Sequence, residues 1–256
     1  MKHIVILLAL LICAPGILQA QASDPSSATE VPAKQRSSFA FGVYFGALAS
    51  THSGGFVFPA EQPPVISYDD GSGVGPAFGI RADIRLMSSL SLSPRLFAAC
   101  RRGMFTSDPF VMEIVGQDMQ PQDMRLEDEL DVIIRVAGLD LIVQWHPLPF
   151  DLYLAAGPSI GLKLYEEFTV TESILEPGGV TFLDGSRSRE VYSGDPDRTR
   201  ALHMGVHAGA GYVLSLGSDL AAGAEVLYLV PLQTVTEEDD WSMQGLQATL
   251  SFLFRF

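Results

Sequence analysis

Cysteine is nearly absent from this chain. Only Cys13 and Cys100 occur, and Cys13 falls in an N-terminal apolar run that reads as a removable leader. The remaining chain then has one thiol, so an intramolecular disulfide is excluded. Long apolar runs are also missing beyond that N-terminal stretch, and this excludes a membrane-spanning helix, which needs ~20 such residues. Positive charge is scarce: 16 Lys and Arg stand against 30 Asp and Glu, for a formal charge of −14. Nucleic acid is therefore not expected as a partner, because its phosphates are held by Lys and Arg. What the chain does have is 47% hydrophobic residues and 24 glycines, with aromatics spread throughout. It is hydrophobic without being helical.

Met1-Lys2-His3 followed by Ile4–Ile12 has the form of a basic n-region and a short h-region, the marks of a secretory signal peptide. Cleavage after Ala22 (Ala20-Gln21-Ala22) fits small-residue rules, and cleavage after Ala20 is the alternative. Ile12 stands where a lipobox has a small residue, so Cys13 reads as h-region filler. Loss of Lys2 would move the charge from −14 to −15. Residues 23–37 are polar, proline-containing and aperiodic, which suits a flexible periplasmic leader. Residues 38–256 then suit one all-β domain.

The last eleven residues are the most informative. Leu246, Ala248, Leu250, Phe252, Phe254 and Phe256 share one face, whereas Gln247, Thr249, Ser251 and Arg255 share the other with Leu253. That is period-two patterning over the length of one tilted spanning strand. Seven further segments precede it: Ser38–Ser50, Val74–Leu86, Leu90–Phe105, Leu130–Trp145, Leu152–Tyr165, Ala201–Leu216 and Leu220–Leu232. Phe78, Ile80, Ala82, Ile84 and Leu86 oppose Gly79, Arg81, Asp83 and Arg85. Leu152, Leu154, Ala156, Pro158, Ile160, Leu162 and Leu164 oppose Tyr153, Ala155, Gly157, Ser159, Gly161 and Lys163. Leu202, Met204, Val206, Tyr212 and Leu214 oppose His203, Gly205, His207, Gly209 and Gly211. Leu130–Trp145 is apolar on both faces, so its facing stays open. Pro94 and Pro158 each remove a ladder hydrogen bond, and bulges or a frayed ladder are expected there.

The connections alternate in length. Met87–Ser89, His146–Asp151 and Gly217–Asp219 are short; Thr51–Gly73, Thr106–Glu129, Glu166–Arg200 and Gln233–Ser242 are long. Within the longest, Thr169–Leu175 and Val180–Asp184 flank Glu176-Pro177-Gly178-Gly179 and read as a protruding hairpin.

The terminal strand, closing on Phe256 with Phe254, Phe252 and Leu250 at alternate positions, resembles the last strand of bacterial outer-membrane barrels. The resemblance implies that these four residues form the signal read by the barrel-assembly machinery. Taken with the alternating loops, the pattern looks like the eight-stranded OmpA-type and PorT-like families. It implies an all-β, antiparallel, up-and-down transmembrane barrel of about eight strands, ten if Thr169–Asp184 is recruited, with short periplasmic turns and long extracellular loops. The implied setting is a Gram-negative outer membrane, with lipid and lipopolysaccharide as partners and no named extracellular ligand. A secreted barrel of the lipocalin kind would need a polar outer face, and would leave Arg81, Asp83 and Lys163 outside.

Threading the strands up and down puts Arg81, Asp83, Arg85, Arg95, Asp140 and Glu225 in the middle or lower lumen. Three cations balance three anions, which suits a salt-bridge plug in a barrel too narrow for a free channel. Arg101, Lys163 and Arg255 are expected nearer the ends, in reach of water. His203 and His207 lie ~13 Å apart along one strand, too far to share a metal. No nucleophile–base pair is visible, the acidic loops lack calcium-loop spacing, and no cofactor, metal or catalytic residue is expected. Among Trp145, Tyr153, Tyr165, Tyr212, Tyr228 and Trp241, those that face lipid would join interfacial girdles. The reading is a non-enzymatic envelope protein; a pore gated by the lumen charges and a lipid A-modifying enzyme are the alternatives.

Overall fold

The computed structural model describes residues 38–58, 66–115, 120–147, 151–237 and 239–256. The expected signal peptide, its cleavage site and the leader lie outside them. The described residues form twelve strands: β1 (Phe39–Ser53), β2 (Phe56–Phe58), β3 (Ile66–Tyr68), β4 (Gly71–Met87), β5 (Leu90–Thr106), β6 (Phe110–Val115), β7 (Pro121–Trp145), β8 (Leu152–Glu176), β9 (Ser188–Gly194), β10 (Leu202–Ser215), β11 (Leu220–Pro231) and β12 (Ser242–Arg255).

Eight of these close a ring. β1, β4, β5, β7, β8, β10, β11 and β12 pair in that order, each antiparallel to the next, and β12 returns to β1. The seam between first and last strands is regular, with Phe41 opposite Phe254, Val43 opposite Phe252 and Phe45 opposite Leu250. A ring leaves no open edge in its wall, so the backbone groups there pair with a neighbouring strand on both sides, save where the ladder is interrupted.

Alternation of side chains decides which face is which. Phe41, Val43, Phe45, Phe78, Ile80, Leu96, Leu139, Leu141, Leu154, Ile160, Leu250, Phe252 and Phe254 all lie on the outer wall, between about 40% and 57% exposed. A continuous apolar exterior of this extent belongs to a barrel seated in lipid, not in water. Trp145, Tyr165, Tyr212 and Tyr228 join that surface, whereas Tyr153 and Trp241 point inward and are fully buried. Above the apolar band, Arg135 lies over the Tyr165 ring at 4.9 Å, and Arg102 pairs with Asp131 at 2.8 Å. These outward charges mark where the wall leaves the apolar zone.

Two expectations change here. The long connections are largely strand: β7 and β8 each run 25 residues and continue past their ring partners β5 and β10. β6 flanks β7 and β9 flanks β8 in this extension, so the extra strands lie beside the ring and do not enlarge it. The hairpin partner of Thr169–Leu175 is also not Val180–Asp184. Val180 and Phe182 instead pack on Met124, Leu126 and Ile174, and Ser188–Gly194 supplies the pairing strand. Arg187 fixes that return by donating to the Ile174 and Leu175 carbonyls.

The prolines fray the ladder without shifting it. Pairing of β4 with β5 passes from Arg81–Arg95 to Ile84–Leu92 with no pair at Pro94, and pairing of β7 with β8 skips Pro158 between Asp140–Ser159 and Val143–Ala156. Register shifts fall elsewhere, at Arg85/Met87, Arg125/Leu126, Arg135/Val136 and Val170/Thr171.

Inward glycines make room for the largest lumen side chains. A Cβ on Gly211 would sit 2.3 Å from the Tyr153 hydroxyl. Gly211→Val is expected to cost about 1–3 kcal/mol through overpacking, read as a lower urea midpoint in lipid vesicles. Adding Tyr153→Phe should return part of the loss; a midpoint unchanged by Gly211→Val would contradict this packing.

Candidate functional site

The lumen is layered. At the short-turn end, Ala40, Ala221 and Leu253 pack with Val213, which explains why Leu253 breaks the polar face of β12. Ile142, Tyr153, Ala155 and Leu227 form an adjoining apolar group.

The charges lie among and above these. Arg95 on β5 reaches across to Glu225 on β11 with two parallel bonds, Nη1 to Oε1 at 2.5 Å and Nη2 to Oε2 at 2.8 Å. Both residues are buried, at 2% and 4% exposure. The Tyr153 hydroxyl donates to Glu225 Oε2 at 2.8 Å, and Arg95 Nε donates to Ser93 Oγ at 3.2 Å. Buried charges persist when they are paired and their remaining polar atoms are bonded, and this pair meets both conditions. Beside it, Arg81 holds Asp83 of its own strand, Nη2 to Oδ2 at 2.8 Å and Nε to Oδ1 at 3.1 Å.

Asp140 is buried too, and its Oδ1 lies 3.5 Å from His207 Nε2. Arg85 is the exception among the six. Its guanidinium turns to the carbonyls of Met87 and Ser88 at the β4–β5 turn, at 3.2 and 2.6 Å, because the Arg85/Met87 bulge brings it to the rim. The third lumen cation is Arg101, only 7% exposed, where water was expected. Lys163 is held by Glu166 (2.9 Å), Asp197 (3.0 Å) and the Thr199 carbonyl (2.9 Å). Arg255 donates to Ser215 Oγ at 2.7 Å.

Above the charges the lumen becomes an apolar core. Leu48, Phe105, Leu130, Val132, Ile134, Val136, Phe168 and Met243 fill it. This resolves the facing of β7: its inward residues are as apolar as its outward ones because they pack this core. Its roof is the short β2–β3 hairpin, with Phe56 stacked on Trp241 at 4.4 Å and 15°. Trp241 Nε1 donates to His52 Nδ1 at 3.1 Å, and His52 Nε2 lies 2.9 Å from the Arg102 carbonyl.

The roof is tied down by charge. Glu166, 1% exposed, accepts from Arg198 N at 2.9 Å, from Thr199 N at 3.3 Å and from the Thr199 hydroxyl. Arg198 in turn donates to the Val57 carbonyl at 2.6 Å and faces Asp239 at 3.5 Å. Three connections thus meet at one arginine. Sequence reasoning placed Glu166, Arg198 and Trp241 in loops; the one available signal was a lone Trp within an acidic run.

Beyond the roof, β6, β7, β8 and β9 form a four-stranded platform with its own small core of Met124, Leu126 and Ile174. Arg189 pairs with Glu172 at 2.6 Å and covers the Phe182 ring at 4.2 Å. An open cavity of about 380 Å³ lies at its foot, lined by Ser67, Asp69, Asp70, Thr106, Asp108 and Phe110 among others. Among the described residues, no group of three or more His, Cys, Asp or Glu could hold a metal ion.

Asp128 makes the platform firmer in acid than at neutral pH. Burial, then the neighbouring Glu172, pushes its carboxyl up to about 6, against the pull of Arg189. A carboxyl raised in the fold favours the folded state below its unfolded value near 4, and that contribution is lost as pH climbs through 6. Amides of residues 121–131 are therefore expected to exchange more slowly at pH 5 than at pH 7.5, after correction for intrinsic rates. Asp128→Asn should flatten the difference; an undiminished difference in that variant would rule out Asp128 as its source.

No family model matches this chain, and no curated relative matches it. Solved structures that resemble it are bacterial barrels. Neisserial surface protein A is 12% identical, with 85% of this chain and 99% of that one covered at a TM-score of 0.33. Ail of Yersinia pestis, in complex with the heparin analogue sucrose octasulfate, is 9% identical, with 85% and 99% covered at 0.29. The outer-membrane protease OmpT of Escherichia coli is 11% identical, with 85% and 96% covered at 0.33. Similarity at these values transfers no site, ligand or activity to this chain.

Proposed function

We propose that this protein is an integral outer-membrane barrel of a Gram-negative envelope with a non-enzymatic role. It would be a rigid scaffold that holds an ordered, acidic β-platform above the membrane. In this reading the short turns are periplasmic, the platform is extracellular, and the N-terminal segment directs export. Outer-membrane lipid and lipopolysaccharide surround the apolar wall. β12, with Leu250, Phe252, Phe254 and Phe256 facing outward, is the strand offered to the barrel-assembly machinery. The period-two strands and alternating connections are the features shared with OmpA-type and PorT-like barrels, and kinship with them is part of the proposal.

The observation that carries the reading is closure of the lumen at successive heights. An apolar plug, a salt bridge across the diameter, an apolar core and an aromatic roof lie one above another. Eight strands leave an interior that side chains can fill, and here they fill it. A pore needs a continuous water path, and a lipid-modifying enzyme needs a nucleophile and base meeting at the lipid-facing wall. The inward placement of the lumen carboxylates and histidines favours neither.

Planar bilayers test the choice. The protein is expected to give no channel events above the lipid baseline, and Asp140→Ala, which leaves the Arg95–Glu225 pair intact, should be equally silent. Discrete conductance steps in either protein would replace the scaffold reading with the gated pore.

A further inference from the structure

Two of the three lumen cations touch a carboxylate; Arg101 does not. Its side chain is 7% exposed, and its Nε finds no acceptor among the described residues. Asp140 is the carboxylate whose field reaches it, yet Asp140 is turned to His207. A guanidinium keeps its charge at any working pH and carries five N–H donors that call for acceptors.

Beside Arg101 lies a cavity of about 10 Å³, lined by His203, Met204, Leu229, Gln233 and Met243 among others. His203 is 6% exposed, and its Nε2 has no partner. The Gln233 amide nitrogen is committed to the Leu202 carbonyl. A space of this size takes one sphere about as large as a water molecule. A halide is somewhat larger than water and enters if the flexible ends of Met204 and Met243 give by a few tenths of an ångström, whereas carboxylates, phosphates and sulfate would need far more room.

We propose that Arg101 and His203 form a binding site for one halide ion, chloride by abundance, and that the ion enters together with a proton. Arg101 supplies permanent donors. His203 supplies a second donor once Nε2 is protonated. The charges acting on the imidazole are Arg101 from β5 and Lys163 from β8; Asp140 from β7 acts on Arg101 and lies 3.5 Å from His207 of β10. A proton alone would meet the two cations. A proton with a halide leaves the sum unchanged, and Arg81, Arg95 and Arg101 still balance Asp83, Asp140 and Glu225. The apolar walls of Met204, Leu229 and Met243 suit an occupant that only accepts hydrogen bonds.

The test is thermal unfolding of the refolded protein in zwitterionic detergent, with chloride replacing gluconate at constant ionic strength. At pH 5 chloride at about tenfold its Kd should raise Tm by about 4 °C, with a further rise that follows the logarithm of its concentration, and at pH 8 the rise should shrink by at least half. Arg101→Met and His203→Leu should each abolish it. A melting curve indifferent to chloride at both pH values would mean that the cavity holds water alone and would overturn the site. A rise that persists in both variants would place the ion elsewhere and overturn it equally, and an equal rise at both pH values would remove the proton. Should the variants fail to refold, crystals of the wild-type protein grown in bromide decide. An anomalous peak between Arg101 and His203 is expected, and its absence refutes the proposal.

Discussion

The interaction on which the interior depends is the bidentate bond between Arg95 and Glu225. β5 and β11 stand four steps apart round the ring in either direction, so this pair spans the full diameter of the barrel. A wall of paired strands fixes neighbours but leaves the cross-section free to flatten. A salt bridge between opposite walls fixes that too. It also has no cheap alternative: with either partner gone, the other would be a buried charge without a hydrogen-bonded counter-ion. Tyr153, Ser93 and the Arg81–Asp83 pair are arranged around this bond, and Gly211 is small because Tyr153 must reach it.

Above that level the barrel changes character. Its upper interior is built like the core of a water-soluble protein, with β-branched and aromatic side chains under a roof of Phe56 and Trp241. The same chain therefore presents apolar residues outward to lipid and inward to a core, and reserves polar inward positions for the middle. This arrangement explains how two strands can run on past the membrane zone as an ordered platform. They leave the ring already packed on their inner face, and Glu166 and Arg198 bind the neighbouring connections to them.

The sequence made the wall legible and the platform illegible, for physical reasons. A wall strand between lipid and a polar lumen alternates strictly, so Ala77–Leu86, Leu152–Leu164 and Leu246–Phe256 declared their facing. Where the inner side is apolar as well, the facing is hidden, as in β7, whose buried Leu130, Val132, Ile134 and Val136 are followed by outward Leu139, Leu141 and Val143. The heights of the lumen charges depend on tilt and on bulges, which leave no mark in a single sequence. One bulge moved Arg85 to the rim, while Arg101 lay deeper than its place near a strand end suggested. Val180–Asp184 has strand composition, yet Val180 and Phe182 gain more by covering Met124 and Leu126 than by pairing with β8. Long connections read as loops because their charges are solvated, although polar residues on an exposed sheet do the same.

A double-mutant cycle on the diametric bond tests this account most directly. Arg95→Met, Glu225→Leu and the double variant would be unfolded in urea from lipid vesicles. Each single change is expected to cost about 3–5 kcal/mol, because it strands one buried charge. The double variant should recover most of that loss, giving a coupling of about 2 kcal/mol or more. Losses that simply add, with no coupling, would show that the two side chains do not hold one another across the lumen, and the interior would then need a different foundation.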